Sequence, residues 1–223
     1  MKIVKMLVTG VSAILMHNPA SMRQTDADEI QRGGKKIPLP LDEARSYLYS
    51  LPNKQLYIGS DCFREAGLIA AKSIRDPTRK GRASMTDRFG ASVFLSGETC
   101  PLFRATGSHA PIMAEPEPDS LKDIAGEWSV FTKSVVIQKA RIIRHRPKIE
   151  DWCCPIEFEY DDETIDQNLI LAVMQQSGRF PGVLDYRVGT KGPFGRYKVE
   201  FGNGLDLNEA SEKKTKTMKR RVK

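Results

Sequence analysis

Apolar and β-branched residues dominate from Ile3 to Leu15, which predicts a buried, central first strand with a bend at Thr9–Gly10. Asn18 to Pro40 is polar and is broken by Gly33–Gly34, Pro38 and Pro40, the pattern of a long surface loop or insertion. Asp42 is placed to cap a short helix with Tyr47, Leu48 and Leu51 on one face, ended by Pro52. Leu56 to Gly59 reads as a short strand. Ser60 or Asp61 then caps a helix whose apolar positions Phe63, Ala66, Ile69, Ala70 and Ile74 recur at helical spacing until Asp76–Pro77. A basic loop follows from Thr78 to Arg88, with Arg79, Lys80, Arg82 and Arg88, and then a compact strand over Ala91 to Leu95. Ala105 to Asp119, rich in Pro and Ala, is expected to wrap the surface.

The second half is more regular. Val135 to Ile143 is strand-like, and Trp152, Cys154, Ile156, Phe158 and Tyr160 alternate with Cys153, Pro155, Glu157 and Glu159, so these segments predict a hairpin with Pro147 and Asp151 at its tip or bend. A helix follows, with Thr164 and Gln167 in capping-box register, an Ile165/Leu169/Val173 stripe, and Gly178 placed to end it in the left-handed region. After a Gly-rich segment, Gly182 to Gly195, the last strand alternates Tyr197, Val199 and Phe201 against Arg196, Lys198 and Glu200. Without the insertions the order is strand, helix, strand, strand, helix, strand. That order predicts an α+β, ferredoxin-like βαββαβ fold with two helices on one face of a four-stranded antiparallel sheet. The expected organisation is a single domain over residues 1–205, with insertions at about 18–55 and 78–130, and a disordered basic tail at 206–223.

The tail changes how the charge is read. The 223-residue chain carries a formal net charge of +7. Glu212 to Lys223 holds seven cations against one anion, so +6 of the total sits there and the body is nearly neutral. A nucleic-acid partner must therefore be met by local clusters or by the tail, and a purely solubilising tail is the competing reading. The start of the chain, Met1 to Met16, is interrupted by Lys2, Lys5, Thr9 and Gly10 and lacks a signal-peptide cleavage pattern, so a cytoplasmic location without membrane partners is expected. Cys62, Cys100, Cys153 and Cys154 form no CxxC pair, and reduced thiols are expected. A zinc site would need ligands from distant segments and only His17, His109 and His145 are available, so no metal and no cofactor is predicted.

Two local clusters carry the candidate chemistry. In Arg187-Val-Gly-Thr-Lys-Gly-Pro-Phe-Gly-Arg196, Arg187, Lys191 and Arg196 can neutralise a phosphate backbone, with Lys198 next on the strand. The glycines either expose amides to that backbone or merely form a turn. In Arg141-Ile-Ile-Arg144-His145-Arg146-Pro147, strand alternation puts Arg141 and His145 on one side and Arg144 and Arg146 on the other. Trp152 is either a base-stacking partner or the start of the core stripe, the second being the stronger reading. Neither cluster is a GxGxxG fingerprint or a P-loop. No nucleophile with a base, paired carboxylates or metal box stands out. Asp161, Asp162, Glu163 and Asp166 are accounted for by helix capping, and each histidine lacks an orienting acid nearby in sequence.

Thr9-Gly-Val-Ser-Ala-Ile-Leu-Met-His-Asn-Pro19, Arg144-His-Arg-Pro with Trp152, Gly178, Asp185-Tyr-Arg187 and Phe194-Gly-Arg-Tyr197 together resemble a family of small bacteriophage proteins. The layout also resembles, more remotely, the CRISPR backbone subunits of the RAMP superfamily. That resemblance implies an RRM-like core, a Gly-rich loop near the C-terminus, assembly of repeated subunits along RNA, and insertions that serve as a thumb or as subunit contacts. The chain departs from ordinary RRMs in lacking their aromatic RNP run. The leading expectation is a non-catalytic protein of the host cytoplasm that binds single-stranded RNA or DNA through Arg141, Arg144, Arg146, Arg187, Lys191, Arg196 and Lys198. Two alternatives stand beside it. One is a RAMP-like, metal-independent endoribonuclease with His145 or His17 as base, and the other is a phage structural or host-interaction protein that binds another protein.

Overall fold

The structure is a computed structural model and describes residues 1–19, 39–115, 127–137 and 140–202. The basic tail, most of the Asn18–Pro40 loop and part of the Ala105–Asp119 stretch lie outside the described residues. The strands are β1 (Lys2–Gly10), β2 (Ile14–Leu15), β3 (Tyr57–Gly59), β4 (Val93–Leu95), β5 (Thr99–Pro101), β6 (Ser129–Ile137), β7 (Ala140–Ile149), β8 (Cys153–Tyr160) and β9 (Tyr197–Phe201). The helices are α1 (Pro40–Ser46), α2 (Ser60–Ala71), α3 (Thr86–Ser92) and α4 (Gln167–Arg179), with a 3₁₀ turn at Val188–Thr190. Among the described residues no helix is long and apolar enough to cross a membrane.

The fold is α+β, built on antiparallel sheets. The main sheet has the order β4-β8-β1-β9, so β1 is central, as its apolar run predicts. Registers Met6↔Ile156 and Val8↔Val199 put Val4, Met6 and Val8 on one face with Ile156, Phe158 and Val199. That face is buried under Phe63, Ala66 and Ala70 of α2 and Ile170, Val173 and Met174 of α4. At this contact Phe63 meets the Tyr197 ring edge to face at 5.6 Å. A second sheet, β2-β7-β6, and a pair, β3-β5, bury Ile14, Leu56, Ile58, Leu102, Trp128 and Ile149 into the same contiguous core.

Several expectations are corrected. The hairpin is β6–β7, and β8 leaves it to join the main sheet. The expected strand Val135–Ile143 spans that hairpin's turn. No Gly, Asn or Pro marks a break between Val135 and Ile143, and Gln138 and Lys139 lie outside the described residues. Pro147 therefore sits inside β7 opposite Val130, where its carbonyl accepts from the Met16 amide at 3.1 Å. Ala91–Leu95 splits, its first two residues ending α3 and the rest forming β4. Asp42, Ser60 and Asp61 lie in the first turns of their helices and do not cap them. The cap of α4 is Asp166, whose carboxylate accepts from the Asn168 amide at 2.7 Å. Gly178 is buried inside α4 rather than beyond its end, and Ile69 points to solvent. Asp76 is a buried anchor: Oδ1 accepts from the Thr78 amide at 2.9 Å and its hydroxyl at 2.8 Å, while Arg88 and Arg79 approach Oδ2 at 3.5 and 3.8 Å.

Candidate nucleic-acid interface

The Gly-rich segment between α4 and β9 folds back on itself. Gly182 and Gly195 take positive φ of 65° and 76°, and Val183 N donates to Gly195 O at 3.0 Å. The Gly189, Thr190, Lys191, Gly192 and Gly195 amides donate to Pro181, Arg187, Val188, Arg187 and Ala13 carbonyls at 2.9 to 3.0 Å. Those amides are therefore spent on backbone carbonyls of the loop and its neighbours. Of the two readings left open for the glycines, the turn accounts for them and a phosphate cradle of backbone amides does not form here. What the loop offers outward is side chains.

The β6–β7 hairpin meets the loop through side chains. On the loop-facing side of β7, Arg146 forms an ion pair with Asp185, and Arg144 Nη1 lies 3.1 Å from Glu43 Oε1 of α1. On the neighbouring strand, Phe131 packs edge to face against Phe194 at 5.1 Å, and the Lys133 ammonium sits 3.4 Å above the Tyr186 ring. Tyr186 and Phe194 are themselves 6.0 Å apart. Phe131, Lys133, Tyr186 and Phe194 escape sequence reading because no spacing rule joins a hairpin to a loop some fifty residues on. Tyr186 itself takes a positive φ of 46°, in the left-handed region a non-glycine residue seldom adopts.

The seven predicted residues divide into two groups. Arg144 and Arg146 are neutralised by buried or half-buried carboxylates. Arg141, Arg187, Lys191, Arg196 and Lys198 make no ion pair with any described residue, although Arg187 donates to Leu184 O at 3.0 Å. Arg141 lies on the opposite side of β7 from Arg144 and Arg146, as the alternation predicts, so it stands apart from the loop cluster. Trp152 is wholly buried, and its Nε1 donates to Ser12 O at 2.9 Å, so it belongs to the core and offers no stacking surface.

Two clefts flank the loop. One, of about 340 Å³, is lined by His17, Tyr49, Asp61, Cys62, Glu65 and Arg187 among others. Burial, then Arg146, hold the His17 imidazole below its usual pKa of 6.5, against the opposing pull of Asp185. The other, of about 270 Å³, follows the outer edge of β9 and includes Arg179, Arg196 and Lys198. By contrast, the uncovered face of the main sheet carries Glu157, Glu159 and Glu200 against Lys5 and Lys198, and Lys5 is spent on Glu157 at 2.9 Å. That face is not a polyanion surface. Among the described residues no group of His, Cys, Asp or Glu is placed to hold a metal ion. His145 Nδ1 pairs with the Thr132 hydroxyl at 2.8 Å on the hairpin. No family model matches the sequence, and no curated protein matches it.

Proposed function

We propose that the chain is a non-catalytic single-stranded nucleic-acid-binding protein that holds RNA or DNA by neutralising its backbone. The supporting observation is the group of unpaired cations, Arg187, Lys191, Arg196 and Lys198, carried on one loop and the strand it leads into, beside the aromatic group of Phe131, Tyr186 and Phe194. The strand order β4-β8-β1-β9, with α2 between β1 and β4 and α4 between β8 and β9 in sequence, supports reading the main sheet as the ferredoxin-like, RRM-like plan. On this reading the strand passes over the loop and touches the uncovered sheet face only at its β9 edge, through Lys198. Assembly of several copies along one strand, in a phage-infected host cytoplasm, is the companion proposal. It is favoured by the nine-residue edge strand β6, whose single charge is Lys133.

The test is fluorescence anisotropy of labelled dT and U oligomers against salt. Four phosphate contacts on a single strand require a log–log slope of about −3. Absence of binding at low salt, or a flat response, rejects the reading. A second reading, metal-independent RNA cleavage, is favoured by one observation: His17 is the histidine that lines a cleft with Arg187, and it is held neutral and so able to accept a proton. It requires RNA cleavage in chelator that is lost in His17→Ala.

A further inference from the structure

Helix α4 stops at Arg179, and the next residue, Phe180, leaves 61% of its surface exposed although Pro181 to Leu184 immediately after it are buried. A large aromatic kept in water at a helix end gains nothing from the core. Arg179 lines the cleft of about 270 Å³ along β9, with Arg196, Lys198, Glu200 and the half-exposed Val11. Arg179, Arg196 and Lys198 make no ion pair with any described residue, so Glu200 is the cleft's one counterweight and its balance is positive. The backbone edge of β9 is not on offer here. Gly178 packs against the Tyr197 carbonyl, and Gln175 Nε2 donates to Val199 O at 3.2 Å, so α4 seals the edge against an added peptide strand. Recognition at this cleft must run through side chains, and those lining it include three cations, one of which, Arg179, is followed directly in the chain by the exposed Phe180. Phosphates take the cations of the cleft, and an unstacked base needs a ring beside them, which Phe180, adjoining Arg179 at the helix end, offers.

We propose that this cleft is a nucleotide subsite of the single strand, with phosphates on Arg179, Arg196 and Lys198 and a base stacked on Phe180. It rests on the single-strand reading above and names where along the loop the strand is gripped. A duplex keeps its bases stacked inside and cannot fill the Phe180 position, so the subsite selects single strands.

The experiment compares wild type, Phe180→Ala, Arg179→Gln and Phe94→Ala by anisotropy with a single-stranded dT oligomer, a U oligomer and a duplex of equal length. Phe94 is the control, an aromatic 41% exposed on the acidic sheet face. Phe180→Ala should weaken single-strand binding about tenfold with an unchanged salt slope and leave duplex binding alone. Arg179→Gln should make the slope shallower by about 0.7, and Phe94→Ala should bind as wild type. Equal single-strand affinity in Phe180→Ala and wild type overturns the proposal, as does an equal loss for duplex or in Phe94→Ala. Displacement of the oligomer by poly-glutamate as readily in Phe180→Ala as in wild type would assign the cleft to an acidic protein segment and also overturn it. Failure of wild type itself to bind any oligomer rejects the parent reading instead. Because the Phe180 ring is exposed, an unchanged thermal melt is expected of Phe180→Ala and separates lost binding from lost fold.

Discussion

The Cα of Gly178 in α4 lies against the carbonyl oxygen of Tyr197 in β9, so closely that a Cβ at position 178 would overlap it. This contact lets the helix sit directly on the edge strand and fixes the wall of the cleft that contains Arg179 and Arg196. Alanine normally stabilises a helix interior over glycine by about 1 kcal/mol. Here overlap with backbone, which cannot swing aside, outweighs that gain. Gly178→Ala should lower stability by about 1–3 kcal/mol in chemical denaturation. Gly97→Ala, where nothing lies within 4 Å of the added carbon, should be near neutral.

The buried Asp76 carboxylate orders the basic loop that follows it. Its pKa is lowered first by the Thr78 amide and then by the Thr78 hydroxyl, Arg88 and Arg79, against the opposing cost of burial. Asp76→Ala leaves the Thr78 amide and hydroxyl without their acceptor and Arg88 and Arg79 without their counter-ion, and should lower stability. Because the folded pKa is depressed, this stabilisation is present above the ordinary carboxylate range and is lost as pH falls through the folded value. An acid titration of stability should therefore be shallower in the variant.

His17 predicts a separate pH dependence. Its folded pKa lies below 6.5, so the unfolded chain takes up the proton first and stability falls as pH drops below about 6.5. Glu43 and Asp185 oppose the shift while Arg144 and Arg146 reinforce it, so burial decides the direction. Replacement by Asn should flatten the stability profile where pH falls below about 6.5. A profile equally steep in His17→Asn would remove His17 as its source.

How much of this was legible in the sequence follows from the range of each signal. Alternation in β1, β8 and β9 and the α2 and α4 stripes are local, and they predicted most of the buried faces, with Ile69 and Phe201 exposed instead. The boundary between β6 and β7 was not legible, because no Gly, Asn or Pro breaks the sequence between Val135 and Ile143. Gly178 was legible as special but for the wrong reason: its neighbour in space, Tyr197, lies nineteen residues on, and a glycine near a helix end invites a capping reading. The basic clusters were visible as residues, whereas their division into paired and unpaired cations depends on Glu43 and Asp185, contributed by other elements. Phe180 gave no signal, since exposure is a property of the packed chain.

That division yields a prediction opposite to one drawn from the sequence alone. Arg146 and Asp185 are half-buried partners that fasten β7 to the loop, and Arg144 is held by Glu43, only 7% exposed. A cation already neutralised by a carboxylate releases few counterions when a phosphate approaches, so it contributes little to salt dependence. Arg146→Gln should therefore leave the log–log slope of single-strand binding nearly unchanged while lowering stability, because it strands Asp185. Lys191→Gln, at an exposed loop position with no described partner, should leave stability unchanged and make the slope shallower by about 0.7. The double variant Arg146→Gln/Asp185→Asn should recover part of the lost stability, which a double-mutant cycle in urea measures. If Arg146→Gln and Lys191→Gln change the slope equally, the Arg146–Asp185 pair opens on binding, and the loop-only placement of the strand is wrong.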